Sequence, residues 1–270
     1  MEILMKESKE MTSLICIEEV SKTFANGHRA INVLTGISLE IERGSFVVMV
    51  GPSGCGKSTL LNIIAGLLPV TAGKVYYKDS LVVSPCLEVG YLTQKDTLMP
   101  WRSVEQNIEM PLEIRGVNRT ERGRRVSELI QKVGLKGFEK MYPRELSGGM
   151  LRRACLARML STDPETLLMD EPFGALDAQL RLELQGELLR LWSSTGKSVL
   201  FVTHDIEEAI ALGDRVVVLG SQGRIILDEY INLPRPRDAV RIRFQPQFVE
   251  IHHRLWDALM TAREQQEVKI

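Results

Sequence analysis

The chain has 270 residues, and its 34 lysine and arginine residues nearly balance 35 aspartate and glutamate residues, so the formal net charge is -1. A hydrophobic content of 44% is typical of a globular protein and excludes the disordered and fibrous classes. The charge balance argues against nucleic acid as a partner, because dedicated nucleic-acid binders carry an excess of basic side chains. The length allows one large domain with a smaller appended segment.

The cysteines and the apolar runs limit the cellular compartment. Cys16, Cys55, Cys86 and Cys155 form no Cys-x-x-Cys pair, which predicts neither a zinc site nor a disulfide framework and fits a reducing cytosol. The longest apolar runs have the length of a strand, far below the roughly 20 residues of a membrane span, so we expect no membrane crossing. Residues 1–12 lack the apolar core of a secretory signal and are predicted to form a loose tail.

Strand-like and helix-like segments alternate, which predicts an α/β fold with a mainly parallel sheet. The apolar runs at 46–50, 166–169 and 198–202 do not alternate with polar residues, as expected for strands covered on both faces. Residues 57–68 follow a glycine loop and show helical spacing. Between 100 and 160 the pattern becomes helical, which predicts a helical insert, seen for example at Val126, Leu129, Ile130 and Val133.

Two further segments have simple interpretations. An arginine-rich stretch beside Glu121 and Glu128 is interpreted as a solvated helix face, with a binding patch as the alternative. Its members are Arg119, Arg122, Arg124 and Arg125. After residue 232, prolines break the regular pattern, and the remaining apolar residues predict a docked terminal helix. They are Phe244, Phe248, Ile251, Leu255 and Leu259.

A glycine-rich segment follows the predicted strand 46–50 and matches the pattern G-x-x-x-x-G-K-[ST]. It consists of Gly51, Pro52, Ser53, Gly54, Cys55, Gly56, Lys57, Ser58 and the following Thr59. Glycines let backbone N–H groups face phosphate oxygens, while a helix N-terminus and Lys57 add positive charge. Ser58 offers a hydroxyl to Mg²⁺. The segment predicts a nucleoside triphosphate site.

The thiol of Cys55 lies inside this glycine-rich segment. Lys57 and the helix N-terminus favour the thiolate, so we expect a reactive cysteine whose alkylation blocks the phosphate site. The alternative is a side chain that points away and is inert.

Two adjacent carboxylates, Asp170 and Glu171, end the predicted strand 166–169. The carboxyl ends of strands in open sheets form ligand crevices. Asp170 is suited to accept the waters around Mg²⁺, and Glu171 to orient or deprotonate the water that attacks the γ-phosphate. On its own, such a pair is more often found at the start of a helix, where it adds negative charge. The glycine-rich loop upstream favours the catalytic interpretation.

Another helical pattern follows Ser147, Gly148 and Gly149. The glycines leave backbone N–H groups accessible at the start of this helix. The chain then resembles ABC-transporter ATPase subunits over about residues 14 to 232, because six motifs occur in that family's order. They are the loop 51–58, Gln94, the segment 146–149, Asp170 with Glu171, the segment 174–177, and His204. The resemblance implies a P-loop NTPase fold of the RecA-like type, with a mainly parallel sheet, a helical subdomain and an antiparallel β N-terminal portion.

The resemblance also implies roles for single residues. ATP would lie between the P-loop of one chain and Ser147, Gly148 and Gly149 of a second copy in a head-to-tail homodimer. Phe24 would stack on adenine, and Gln94 would reach Mg²⁺ and the attacking water. His204 would contact the γ-phosphate. Asp177 would support the site of the facing subunit.

The chain departs from the family pattern at two places. The signature continues as Met150-Leu151-Arg152-Arg153 where the family often has Met-Arg-Gln-Arg, which puts in doubt the polar contacts of the positions that differ. Phe24 stands where tyrosine is frequent, and it keeps the ring while losing the hydroxyl.

A finer likeness, to the nitrate, sulfonate and taurine importers, depends on residues 98–101 and 233–238. It implies an ATPase at the cytoplasmic face of the membrane, paired with separate permease subunits and indirectly with an extracytoplasmic solute-binding protein. Leu98, Met99 and Trp101 are large apolar residues in a connection that would normally be polar, so we expect a docking surface for the permease. The alternative is that Trp101 packs inside the helical insert.

These patterns divide the chain into a tail at 1–12, an ATPase domain at 13–232 with a helical subdomain at about 96–160, and a C-terminal extension at 233–270. The expected function is ATP hydrolysis that powers uptake of a small solute. One alternative is an ABC-type ATPase that acts in solution, although such proteins usually have tandem cassettes or a long coiled-coil insert. A P-loop kinase is a second alternative, but it would have no use for the segment 146–149 or for His204.

Overall fold

The structure, a computed structural model, describes residues 13–26, 29–95, 97–174 and 176–267. The predicted tail at 1–12 lies outside these residues. The chain divides into two compact units, of which the first is Met1–Cys86 with Gln185–Ile270 and the second is Leu87–Leu184. Within the described ranges, no helix combines the length and the hydropathy that a membrane span requires.

Strands and helices alternate along the chain. The strands are β1 (Ser13–Asn26), β2 (Arg29–Glu42), β3 (Phe46–Val50), β4 (Ala72–Tyr77), β5 (Ser80–Leu81), β6 (Val89–Leu92), β7 (Thr166–Asp170), β8 (Ser198–Thr203), β9 (Arg215–Leu219) and β10 (Ile225–Tyr230). The α-helices are α1 (Lys57–Ile64), α2 (Val104–Ile114), α3 (Arg119–Lys132), α4 (Gly148–Leu160), α5 (Ala178–Thr195), α6 (Ile206–Leu212) and α7 (Pro246–Glu267). Short 3-10 turns occupy Pro143–Glu145, Ser221–Gly223 and Arg241–Phe244.

An antiparallel sheet in the order β2-β1-β4-β5 occupies the N-terminal part of the first unit. In β1, Ile15, Ile17 and Val20 are buried while Glu18 and Glu19 are exposed, so one side of the strand packs on the core. The sheet confirms the predicted antiparallel β N-terminal portion.

The other sheet of the first unit is parallel at its centre. β3 pairs in parallel with β8 on one side and with β9 on the other, and β10 pairs antiparallel with β9. Every residue of β3 and β8 is buried, which explains their continuous apolar runs. The strands predicted at 46–50 and 198–202 are confirmed.

In the second unit, β6 and β7 pair in parallel, with Leu92 opposite Met169. The carboxyl ends of these two strands therefore lie side by side. Gln94 follows the first end, and Glu171 follows the second. Helices α2, α3 and α4 occupy the chain between the two strands.

Helix α3 carries the arginine-rich face that the sequence predicts to be solvated. Arg124 forms ion pairs with Glu121 and Glu128, and Arg125 forms an ion pair with Glu121. These pairs join residues three or four apart, which are neighbours on a helix surface. Arg124 and Arg125 are therefore matched by carboxylates of their own helix, whereas Arg122 forms an ion pair with Glu109 of α2. The prediction of a solvated face is confirmed for Arg119 and Arg124, which are exposed.

Helix α1 is shorter than the predicted range 57–68. Gly66 adopts a φ of 71°, and the N–H groups of Gly66 and Leu67 turn back to carbonyls of the last helical turn. This left-handed glycine cap ends the helix at Ile64. Leu68, predicted to lie on the helix, lies beyond it.

The C-terminal residues belong to the first unit and pack within it. Arg237 is buried, and burial lowers its pKa to about 10. Its guanidinium donates to four backbone carbonyls, those of Ile210, Gly213, Ile231 and Leu233. Helix α7 then buries Leu255, Leu259 and Ala262. Phe244 was predicted on the same apolar face, but it is 83% exposed because it lies in the 3-10 turn before the helix.

Candidate functional site

The glycine-rich loop begins where β3 ends, at a close contact between two backbones. A Cβ atom on Gly51 would lie 2.5 Å from the carbonyl oxygen of Leu219, the last residue of β9. Gly56, at the N-cap of α1, adopts a φ of 108° that side-chain-bearing residues avoid. Glycine is therefore required at both ends of the loop.

Lys57 lies inside the loop and is only 6% exposed. Its ammonium donates hydrogen bonds to the carbonyls of Gly51, at 2.7 Å, and Pro52, at 2.9 Å. The charge is thus held at the first residue of α1, where the N-terminal dipole is also positive. Ser53, Gly54 and Ser58 are exposed on the same loop. The arrangement concentrates positive charge and accessible N–H groups, which suits phosphate oxygens.

Cys55 does not have the environment that the sequence predicts. Its side chain is 1% exposed, and burial raises the pKa of the thiol although Lys57 nearby acts to lower it. Its Sγ atom lies on the inner side of the loop, 2.8 Å from where a Cβ atom of Gly51 would be. The expectation of a reactive thiolate is wrong, because desolvation outweighs the attraction to Lys57.

Phe24 lies in β1, and its ring is 39% exposed. The ammonium of Lys22 lies 5.2 Å from the centre of the ring and is tied to the carbonyl of Pro69 by a hydrogen bond of 2.6 Å. An accessible ring beside a fixed cation is compatible with stacking on a base. The role of Phe24 in binding adenine stays a prediction.

His204 immediately follows β8, whose last residue Thr203 pairs with Val50 at the end of β3. The imidazole is therefore carried at the same sheet edge as the glycine-rich loop, and the residue is exposed. The next residue, Asp205, caps α6 by accepting hydrogen bonds from the N–H groups of Glu207 and Glu208. The first unit thus brings His204 and the phosphate loop to neighbouring strand ends.

In the second unit, the side chains of Gln94 and Glu171 are in direct contact. The amide nitrogen of Gln94 donates to Oε2 of Glu171 at 3.1 Å. Glu171 has a φ of 43°, a left-handed conformation that is unusual for a residue other than glycine and often marks a functional site. The structure thus brings together two of the predicted catalytic residues.

Asp170, the last residue of β7, is only 5% exposed. Burial, and to a lesser extent the negative charge of Asp170, raises the pKa of Tyr91 well above its usual range. The Asp170 carboxylate is therefore buried near Tyr91 at the carboxyl end of β7, one residue before the half-buried Glu171. This order is consistent with the predicted roles, in which Asp170 binds the metal and Glu171 orients or deprotonates the attacking water.

Arg152 is a residue of this site that the sequence did not reveal. It lies in α4 and is 5% exposed, and it donates hydrogen bonds to the carbonyls of Pro172 and Thr93. Pro172 directly follows Glu171, and Thr93 directly precedes Gln94. One buried guanidinium thus holds the backbone beside both members of the pair. The only sequence signal was an arginine where the family often has glutamine.

The segment Ser147, Gly148 and Gly149 begins helix α4. The hydroxyl oxygen of Ser147 accepts a hydrogen bond from the N–H of Met150 at 3.3 Å and so caps the helix. A Cβ atom on Gly149 would lie 2.3 Å from a methyl group of Leu180, so this glycine permits close packing. Gly148 has open space around it.

Asp177 is exposed, and its carboxylate accepts a hydrogen bond from the N–H of Leu180 at the start of α5. Ala175 in the same motif lies outside the described residues. The local role of Asp177 is therefore that of a helix cap. Its predicted support of a facing subunit stays a prediction.

Several of the predicted metal ligands carry oxygen donors that suit Mg²⁺. Ser58, Gln94 and Asp170 offer a hydroxyl, an amide carbonyl and a carboxylate, and Mg²⁺ prefers oxygen ligands, one or two carboxylates and substrate phosphates. In the described part of the chain, no group of three His, Cys, Asp or Glu side chains could hold a metal ion by itself. The hydroxyl of Ser58 in the first unit, and the oxygens of Gln94 and Asp170 in the second, each have the chemistry of Mg²⁺ ligands.

The chain resembles known proteins over most of its length. The family model described as ABC transporter matches residues 34–174. The chain is 47% identical over 241 residues to an uncharacterized ABC transporter ATP-binding protein of Methanocaldococcus jannaschii, covering 88% of this chain and 90% of that protein. It is 42% identical over 248 residues to the taurine import ATP-binding protein of Rhizobium johnstonii, with coverage of 90% and 95%.

A solved structure extends the likeness to the fold. The dimeric post-hydrolysis state of an ATP-binding cassette bound to ADP and Pi matches with a TM-score of 0.74 at 32% sequence identity. The match covers 82% of this chain and 100% of that chain. It confirms the predicted P-loop NTPase fold class.

Proposed function

Because the chain belongs to the ABC transporter family and is an ATPase of that family, we propose that it powers the import of a small solute through a separate permease. The observation that carries the catalytic part is the contact of 3.1 Å between Gln94 and Glu171 at the end of β7. It places a carboxylate and an amide together where a water can be held.

ATP binding is assigned to the loop 51–58. In the structure Lys57 bonds to the carbonyls of Gly51 and Pro52, which are neutral acceptors. Phosphate oxygens are stronger partners for an ammonium, because charge-assisted hydrogen bonds are about twice as strong as neutral ones. We therefore expect Lys57 to exchange at least one carbonyl for a phosphate oxygen when ATP binds. Phe24 is assigned to stacking on the adenine ring.

Hydrolysis is assigned to Glu171 as the residue that orients or deprotonates the attacking water. Gln94 holds the carboxylate of Glu171 by its amide N–H and leaves its own carbonyl oxygen for the water or the metal. His204 is assigned to the γ-phosphate. Ser58, Gln94 and Asp170 would hold Mg²⁺, which supplies charge neutralisation at the β- and γ-phosphate oxygens.

We assign the active form to a head-to-tail homodimer in which Ser147, Gly148 and Gly149 of each chain face the ATP on the other. The N–H groups at the start of α4 have the chemistry of an anion site. A dimer of a related ATP-binding cassette supports this assignment. Asp177 is assigned to the same interface.

The contact with the permease is assigned to the loop that presents Trp101. Asn107 is fully buried and makes four hydrogen bonds to this loop, through the backbone of Met99, Arg102 and Ser103. The loop is thus rigid, yet the indole of Trp101 is 71% exposed. A rigidly presented aromatic side chain is typical of an interface anchor. The alternative that Trp101 packs inside the insert is wrong, because the indole is exposed. The expectation that Leu98 is exposed is also wrong, because the side chain of Leu98 is buried.

The solute is assigned to the class of small anions and zwitterions that includes nitrate, sulfonates and taurine. The taurine importer relative supports this class. The chain would act at the cytoplasmic face of the membrane, bound to permease subunits, while an extracytoplasmic binding protein delivers the solute.

The proposal is tested by purifying the tagged chain with its permease from the membranes of the native host and reconstituting the complex into vesicles. We expect MgATP to drive taurine or sulfonate uptake, and Lys57→Ala to abolish both ATP binding and uptake. Uptake that is independent of ATP, or an ATPase that never associates with a membrane protein, would favour the alternative of an ABC-type ATPase that is not coupled to transport.

A further inference from the structure

The end of the C-terminal helix touches the phosphate loop. The side-chain amide of Gln266, in the last turn of α7, donates a hydrogen bond of 2.9 Å to the carbonyl oxygen of Ser53. Its nitrogen is also 3.6 Å from the position of a Cβ atom on Gly54. Both partners belong to the first compact unit. A segment 213 residues away in sequence thus reaches the loop assigned to ATP.

Close packing fixes the position of α7 one turn before Gln266. Ala262 is fully buried, and its Cβ atom lies 3.7 Å from where a Cβ atom of Gly220 would be. Gly220 directly follows Leu219, whose carbonyl is in contact with Gly51 at the start of the loop. The helix and the loop are therefore packed against the same end of β9. Gln266 is held within reach of Ser53 by this packing.

The hydrogen bond sets the orientation of one peptide group. The peptide between Ser53 and Gly54 is trans, so its N–H points opposite to its C=O. Because the Ser53 carbonyl is directed at Gln266, the Gly54 N–H is directed away from α7. Gly54 has a φ of 79°, in a region that glycine enters and leaves without steric cost. The loop itself therefore does not prevent this peptide from rotating.

The neighbouring carbonyls are held by a different group. Lys57 bonds to the carbonyls of Gly51 and Pro52 from within the loop, whereas Gln266 bonds to the next carbonyl in sequence from outside. The contact with Gln266 does not involve the ammonium of Lys57, so it does not depend on the position of that ammonium. The N–H of Cys55 also donates to the carbonyl of Pro52, at 3.4 Å, whereas the contact with Gln266 acts directly on the carbonyl of Ser53.

We propose that Gln266 is a positioning residue for ATP binding, which orients the Gly54 N–H and so makes the C-terminal helix a determinant of nucleotide affinity. The inference rests on the proposed assignment of the loop 51–58 to ATP. Its physical basis is preorganisation: a loop that is already ordered loses less conformational freedom on binding. The chemistry of hydrolysis lies elsewhere, at Glu171, so affinity and turnover respond differently.

The test compares Gln266→Ala and Gln266→Met with Gln265→Ala in the full chain. Gln265 is the exposed neighbour on the same helical turn and serves as the matched control. Gln266→Met keeps the length of the side chain and lacks the donor. We expect both Gln266 variants to weaken MgATP binding about fivefold by titration calorimetry and to raise KM by a similar factor, as the loss of one hydrogen bond should. The kcat value at saturating ATP and the Tm should stay near those of the wild type, as should all constants of Gln265→Ala.

The proposal is overturned if both Gln266 variants bind MgATP as the wild type does, or if they bind it more tightly, which would make the contact inhibitory. It is also overturned if affinity falls only together with Tm and kcat, because that pattern indicates a structural role. A wild-type chain that fails to bind MgATP would contradict the assignment of the loop itself, and this result is distinct from any difference among the variants.

Discussion

The guanidinium of Arg152 lies 2.9 Å from the carbonyl oxygen of Thr93, and it also donates to the carbonyl of Pro172. These carbonyls flank Gln94 and Glu171. Arg152→Lys keeps the charge but cannot bond both carbonyls with one fixed fork. We expect kcat for ATP hydrolysis to fall about tenfold or more, while the Kd for MgATP stays within about twofold, because small displacements of catalytic groups are costly.

The control for this prediction is Arg153→Lys on the same helix. Arg153 of α4 lies 3.9 Å from the exposed Glu183 of α5 and contacts neither Thr93 nor Pro172 in the bonds described, so we expect nearly normal turnover. Equal losses of kcat in both variants, or a fall in Tm that accounts for the lost activity of Arg152→Lys, would argue against a positioning role.

The burial of Cys55 predicts slow alkylation. Burial raises the pKa of the thiol, so little thiolate is present at neutral pH and little of the sulfur is accessible. We expect Cys86, which is partly exposed, to react with iodoacetamide at least about tenfold faster at pH 7, and the rate at Cys55 to rise with pH up to and beyond 9. Peptide mass spectrometry measures each site. Rapid labelling of Cys55 at pH 7, together with protection by MgATP, would contradict this prediction and support a reactive thiolate in the loop.

The difference between prediction and structure at Cys55 has a general physical origin. The motif predicts the fold of the loop backbone, because glycines and the lysine act through backbone geometry and charge that are local in sequence. The Cys55 thiol is buried beside Gly51, and Gly51 itself packs against the carbonyl of Leu219 in β9, a strand far along the chain. No pattern in the sequence of the loop indicates that contact.

The same distinction applies to the second unit. The strand before Asp170 could be predicted because continuous apolar runs mark buried strands. Arg152 could not, since an arginine in a helix is usually exposed, and its burial depends on carbonyls that only the folded chain supplies. Leu98 and Trp101 look equivalent in sequence. The structure separates them, because Asn107 shapes the loop between them.

The exposed indole of Trp101 predicts a selective loss of permease binding. Trp101→Ala should weaken the complex by about 2 kcal/mol or more, which is about 30-fold in Kd, as expected for an interface anchor. ATP binding and Tm of the chain alone should remain unchanged. Trp256→Ala is the matched control, since Trp256 is also exposed, at 46%, but lies on α7. Association with the purified permease can be measured in detergent by surface plasmon resonance.

A result in which Trp101→Ala and Trp256→Ala bind the permease equally well would remove this loop from the interface. A lower Tm for Trp101→Ala would instead assign the indole a structural role.

The ion pairs of α3 predict a pH-dependent contribution to stability. Hydrogen bonds from Arg124, and to a lesser extent from Arg125, lower the pKa of Glu121 from its ordinary value of 4.5 to about 2. A carboxyl whose pKa is lower in the folded state stabilises the fold above its unfolded pKa, and this contribution is lost as the pH falls from 4.5 through 2. We expect the wild type to unfold at a higher temperature than Glu121→Gln at pH 7, and the gap to narrow below pH 4.5. Calorimetry checks this, and a gap that does not change with pH would contradict it.

The most direct test of the central claim is the release of phosphate from MgATP by the wild type and by Glu171→Gln, measured with the permease complex at saturating ATP. The account predicts that Glu171→Gln binds ATP normally, hydrolyses it at least about 100-fold more slowly and accumulates as an ATP-bound dimer, because the carboxylate that works on the water is lost while Lys57 and the phosphate loop remain. Turnover of Glu171→Gln at the rate of the wild type would contradict the account.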